Sequence, residues 1–167
     1  MFNQLTKKDI EDMQAEIENR KVVLRPQLLE AVKEARAHGD LSENFEYYAA
    51  KKEKNKNESR IRFLERMIKT AEIIDDNSAS DEVGVNDTVD IVFEEDGTSD
   101  SLTIVSTMRG DSLKNLISVE SPIGKALLGH KVGDRVEVVV NKDFNYYIKV
   151  TKISKDNLGE SASLRGF

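Results

Sequence analysis

Apolar residues in the first third of the chain fall at Ile10, Met13, Ile17, Leu24, Leu28, Ala31 and Ala35, the three-and-four spacing of a helical seam. That spacing predicts one long helix. Thr6 and Asp9 have the spacing of a capping box at its start; Asp9, Glu11 and Asp12 suit the positive end of the helix dipole, and Lys33 and Arg36 the negative end. Pro26 removes an amide donor and predicts a kink near Val22, in a seam that stays in phase past Leu28. Gly39, after His38, is suited to a left-handed stop. A second helix is predicted from about Ser42 to Ile74, where Tyr47, Ala50, Ile61, Leu64, Ile68 and Ala71 keep a seven-residue phase. The joint between them is short, and short joints make antiparallel neighbours, so the pair reads as a coiled-coil hairpin with residues 39–43 at its apex. At about 1.5 Å per residue, helices of about thirty residues give a rod roughly 45 Å long. The same phase puts Lys54 and Asn57 in the seam, so the middle of the hairpin is expected to pack most loosely.

Beyond the hairpin (1–75) the period changes. Residues 76–82, running from Asp76 to Glu82, are small and polar and read as a linker. Short β-branched runs follow at Val89–Phe93, Leu102–Val105, Leu116–Ile117, Arg135–Val140 and Tyr146–Val150, with Glu95, Asp96 and Gly97 as a turn. Ser121 as cap, Pro122 in the first turn and a closing Gly129 mark one short helix among them. This second domain (83–153) is a small antiparallel sheet with a short helix, which makes the chain α+β. The polar segment 154–167 is expected to be a flexible tail.

Composition narrows the chemistry. The chain has no Cys, which excludes disulfides, thiolate nucleophiles and Cys-ligated zinc, and leaves His38 and His130 as the only imidazoles. With no Trp and few aromatics, a deep apolar pocket is not expected; Phe93, Phe144, Tyr146 and Tyr147 read as too few and too scattered to line a proline-binding site. The first residues lack an apolar signal core and no 18 apolar residues run together, so the chain is expected to be cytoplasmic and without a membrane partner; a monomer is also expected.

A formal charge of -6 argues against wrapping nucleic acid over the whole surface, but the charge is sorted. Basic and acidic side chains balance over residues 1–75, so the surplus of acid belongs to the β half. Within the hairpin, Asp40, Glu43 and Glu46 give an acidic tip, and Lys51, Lys52, Lys54, Lys56, Arg60, Arg62, Arg66 and Lys69 a basic shoulder. The shoulder reads either as a solvated helix face partnered by Glu53, Glu58 and Glu65, or as a phosphate-facing stripe with Lys52, Lys56 and Arg60 in one row. The tip is equally two-sided. Asp40 to Glu43 fits a capping box. Two carboxylates three residues apart could instead share a hard divalent cation, but a pair is too few to hold magnesium alone, so further ligands would come from a partner.

Gly39-Asp40-Leu41-Ser42-Glu43-Asn44, followed by Glu46-Tyr47 and Ala49-Ala50, closely resembles the hairpin-tip motif of the bacterial Gre transcript-cleavage factors, and Arg25-Pro26 matches the proline of their first helix. Independently, Asn115–Val119, Ser121–Gly129 and Gly133-Asp134 resemble the signature of the family's C-terminal domain. The resemblance runs from about Leu5 to Ile153, and the tip sequence favours the GreA-like subtype. It implies a coiled coil that enters the secondary channel of bacterial RNA polymerase and an FKBP-like domain that docks at the channel mouth. It implies that Asp40 and Glu43 are the catalytic pair and, jointly with the polymerase aspartates, ligands of Mg2+ shared with the polymerase active site. No metal is expected to be held stably by the isolated chain. Lys52, Lys56 and Arg60 would contact RNA near the 3′ end of the backtracked transcript. The chain would not be an enzyme itself but would stimulate cleavage by the polymerase. Phe45 departs from the pattern, standing where many members carry a small residue. Two alternatives accompany this reading: a Gre-like inhibitor of polymerase without cleavage activity, and a prolyl isomerase or chaperone that shares only the FKBP-like fold.

Overall fold

The computed structural model describes residues 3–39 and 44–166, so Asp40, Leu41, Ser42 and Glu43 lie outside the described residues. Two compact units divide the chain, one formed by Ile10–Ala71 and the other by the residues up to Asp9 together with Glu72–Gly166.

The helical path begins with α1 (Lys7–Asn19), continues through one π-helical turn (Arg20–Leu24) into α2 (Arg25–Ala37), and returns as α3 (Phe45–Lys69). The expected capping box opens α1: the Asp9 amide donates to Thr6 Oγ1 at 3.1 Å and the Thr6 amide to Asp9 Oδ2 at 2.8 Å. Pro26 does not break the helix. In α geometry its ring would meet the carbonyl of Val22, and the ladder widens instead, with the Arg25 amide reaching back to the Arg20 carbonyl. One residue is absorbed there, and the seam beyond it passes through half-buried Leu28 and Val32 to buried Ala35, leaving Ala31 exposed.

The middle of the hairpin is not its loosest part. Asn57 is buried because its amide donates to the Arg20 carbonyl at 3.2 Å and accepts from the Arg20 guanidinium at 2.9 Å. Burial in α3 falls toward the tip instead, from Ile61 and Leu64, both buried, to half-buried Tyr47 and Ala50. Ion pairs flank the seam: Arg60 with Glu16 at 2.8 Å, Arg25 with Glu58 at 2.7 Å and Lys21 with Glu65. Glu58 and Glu65 thus pair across the hairpin rather than along α3.

The other unit pairs β1 (Gln4–Leu5) with β2 (Glu72–Ile73) in parallel, so the chain's first residues belong by contact to this unit and not to the hairpin. Its main sheet has five strands: β3 (Thr88–Phe93), β4 (Ser99–Val105), β5 (Leu116–Ser118), β6 (Arg135–Asn141) and β7 (Phe144–Ser154), in the order β5-β4-β3-β7-β6. The pairs are antiparallel except β4 with β5, which makes the sheet mixed. Alternation decides the core: Val136 and Val138 are buried on β6 while Arg135 and Glu137 face out, and Val89, Ile91, Ile148 and Val150 fill the same cluster. The short helix α4 (Pro122–Leu127) is capped as expected, Ser121 Oγ accepting from the Gly124 amide at 3.1 Å. Only glycine fits at 124, since a Cβ there would lie 2.0 Å from the Ser118 carbonyl oxygen.

The segment after Ser154 is not the flexible tail that its polarity suggests. Lys155 pairs with buried Asp87 at 2.6 Å, and Gly159 in a short turn fits where a Cβ would come within 2.7 Å of Val105 and Asn86. Arg165 donates its amide to the Met108 carbonyl at 2.6 Å. Arg109, 3% exposed, joins the Asp9 carboxylate to the Ala162 carbonyl.

Candidate functional site

Helix α2 ends with His38 donating its amide to the Ala35 carbonyl, and Gly39 follows at φ +134°, a backbone that a side chain would strain. The chain re-enters the described structure at Asn44. Asn44 Oδ1 accepts from the Tyr47 amide at 3.0 Å, which caps α3, and its Nδ2 donates to the Ala35 carbonyl at 2.6 Å, which ties the start of α3 to the end of α2. Asn44 thus fills the cap position of α3, and Asp40 and Glu43, which the sequence offered for a capping box, lie outside the described residues. Sequence reasoning passed over Asn44, although Asn two residues before an acidic first turn is itself a helix-start signal.

Tyr47 is held in place. The Arg36 guanidinium lies over its ring at 5.5 Å and hydrogen-bonds its hydroxyl at 3.5 Å, and Lys51 approaches the ring at 5.9 Å. The bond from Arg36, reinforced by the nearby cations and against some desolvation, holds the phenol below its ordinary pKa. Phe45 and Tyr48, by contrast, are exposed.

Of the expected basic row, Lys52 and Lys56 are exposed, but Arg60 is not part of it. Arg60 is 8% exposed, and its guanidinium meets both oxygens of Glu16, at 2.8 and 3.2 Å. Burial pushes the Glu16 carboxyl upward, but the hydrogen bonds from Arg60 and Arg20 outweigh it and leave the carboxyl below its usual range. Arg60 belongs to the hairpin's internal fastening, so only Lys52 and Lys56 of the expected row remain exposed.

Among the described residues no three His, Asp or Glu side chains gather as a metal site. No helix among them is long and apolar enough to cross a membrane. In the sheet unit the aromatics are less scattered than the sequence suggested: Phe93 and Phe144 lie 6.0 and 5.9 Å from Tyr146, ring to ring, around an open cleft of about 300 Å³ that Glu95, Asp96, Thr98 and Tyr147 complete. Strand pairing brings residues 50 positions apart into this cluster, which linear spacing does not reveal.

Comparison with known proteins covers both units. Residues 3–73 match the family model of the transcription elongation factor N-terminal domain, and residues 77–155 that of the GreA/GreB C-terminal domain. The chain is 44% identical over 135 residues to the transcription elongation factor GreA of Lactococcus lactis subsp. cremoris, covering 80% of this chain and 86% of that protein. It is 45% identical over 137 residues to GreA of Thermoanaerobacter pseudethanolicus, covering 81% and 87%. Among solved structures, GreA factor homolog 1 of Thermus thermophilus is 29% identical, covers 92% of this chain and 99% of that one, and superposes with a TM-score of 0.42.

Proposed function

Because the chain belongs to the GreA/GreB family of transcription elongation factors, we propose that it acts on bacterial RNA polymerase, inserting its hairpin tip into the secondary channel and stimulating the polymerase's own cleavage of backtracked RNA. The observation that carries this reading is the tip itself. Gly39 to Asn44 closely resemble the family's tip motif, and the cap of α3 itself is supplied by Asn44. Magnesium, shared with the polymerase active site, would supply the Lewis acidity for attack of water on the scissile phosphodiester. Asp40 and Glu43 would contribute hard oxygen ligands to that ion and hold the water in place. As a pair they are too few to hold the ion alone, so the chain stimulates an enzyme and is not one. Lys52 and Lys56 face the phosphates of the extruded RNA, and Arg60 keeps the hairpin closed behind them.

The test is a stalled, backtracked polymerase complex given the full chain, with shortening of the RNA as the readout. Asp40→Asn and Glu43→Gln are each expected to slow cleavage roughly a hundredfold, since an amide is a poorer ligand for a hard cation, while binding to polymerase persists. Normal cleavage by both variants, or cutting of RNA by the purified chain without polymerase, would overturn the reading. A chain that binds and blocks the channel without cleaving would be the inhibitor instead, an outcome that the intact acids weigh against.

A further inference from the structure

Phe45 is the first residue of α3, two positions after Glu43, and it is 85% exposed. Tyr48, one turn further on and 52% exposed, lies on the same helix face. Lys52 and Lys56 continue that face at the next two turns, both exposed. Ala49 and Asn55 lie between them along this face and Ser59 follows Lys56, so the centre of the strip carries no carboxylate. Glu46 and Glu58 lie on other faces, Glu58 being engaged by Arg25, and Glu53 borders the strip three residues before Lys56. Tyr47 is already taken by Arg36 and Lys51 and meets the Tyr48 ring edge-on at 5.6 Å, so Tyr48 is braced from one side with about half of it open to solvent, while Phe45 stands clear.

We infer that this face is a binding strip for single-stranded RNA, on which Phe45 and Tyr48 stack the bases at the extruded 3′ end while Lys52 and Lys56 meet its phosphates. Aromatic platforms followed by cations are how proteins hold single strands without reading sequence, because every base has a stacking face and every nucleotide a charge. The strip covers about 16 Å of helix, at about 1.5 Å per residue. A protein partner would satisfy the two rings but would have to supply acids for the two lysines, whereas one RNA strand supplies both kinds of contact. The inference rests on the proposed function for the presence of RNA at the tip, and it adds a base contact that positions the strand beside Asp40 and Glu43.

The test uses backtracked complexes whose RNA carries 2-aminopurine at its 3′-terminal nucleotide, with the full chain added and both fluorescence and cleavage followed. The wild-type chain is expected to quench the probe, Phe45→Trp to keep the quench, and Phe45→Ala and Phe45→Leu to lose most of it and to cleave roughly tenfold more slowly, about what one lost base stack gives. Asp40→Asn should slow cleavage roughly a hundredfold and leave the quench intact. An abasic 3′ nucleotide should bring wild type down to the rate of Phe45→Ala. Because Phe45 is exposed, these variants fold, which circular dichroism checks. If Phe45→Leu matches wild type, the ring makes an apolar contact with polymerase and not a stack. If Phe45→Ala matches wild type, the ring is idle. Either result overturns the inference while wild-type cleavage still supports the underlying function; a wild-type chain that neither binds nor cleaves overturns both.

Discussion

Glu16 holds two guanidinium groups, that of Arg20 from its own helical path and that of Arg60 from α3. Removing Arg60 strips the buried side of this cluster, and Arg60→Ala is expected to destabilise the helical unit by about 2–3 kcal/mol, read as a lower urea midpoint. Lys52→Ala, on the exposed face, is expected to stay within about 0.5 kcal/mol. The cluster also sets a pH dependence. A carboxyl lowered in the folded state stabilises fully above its ordinary value of 4.5 and loses that contribution as pH falls through the lowered one. Glu58, lowered chiefly by its hydrogen bond from Arg25, acts in the same direction. The urea midpoint should therefore drop as pH falls below 4.5, and drop less in Glu16→Gln, which has one titrating group fewer. The position of Arg60 was readable: the phase that puts Ile61 and Leu64 in the seam puts residue 60 at a flanking position, where interhelical pairs form. Which acid it meets was not readable, because that depends on how α1 and α3 align.

The strands and α4 were legible because alternation and capping are local, and every strand expected of the main sheet is present. The parallel pairing of β4 with β5 was not, since β5 has three residues and its neighbour is chosen by the loop that carries it back, not by its own pattern. The segment after Ser154 was misjudged for a related reason. Its anchors are the Lys155–Asp87 ion pair, backbone carbonyls and amides, and one glycine fitted against Val105, none of which leaves a periodic trace. Gly159→Ala is accordingly expected to cost about 1–3 kcal/mol through overpacking, and a chain ending at Ser154 to cost at least as much. The truncation deprives buried Arg109 of the Ala162 carbonyl, and a buried donor left without an acceptor costs about 1–3 kcal/mol. Thermal unfolding of the two variants checks this, and an unchanged melting temperature in both would mean that the segment is only draped over the sheet.

At the scale of the whole molecule the chain has two units, each matched by its own family model, and a division of labour between them is the expectation to test. A fragment ending near Asp75 keeps the seam and its ion pairs, so it is expected to remain helical by circular dichroism, yet to act on polymerase only at raised concentration once the second contact is gone. Equal potency of fragment and full chain would count against that division. The tip motif was legible as a motif, but its closing residue, Asn44, was hidden by two better-known capping candidates just before it. One consequence of the buried Arg60 reaches beyond stability. Each phosphate neutralised on a single strand releases bound counterions and adds about −0.7 to the slope of log affinity against log salt. A strip with two free lysines predicts a slope of about −1.4 for RNA held at the tip, where three cations would give about −2.1. Titrating potassium chloride against the RNA contact should thus show a shallow dependence, flattened by Lys52→Ala with Lys56→Ala and untouched by the loss of Arg60: the salt curve counts the charges the hairpin has left for its ligand.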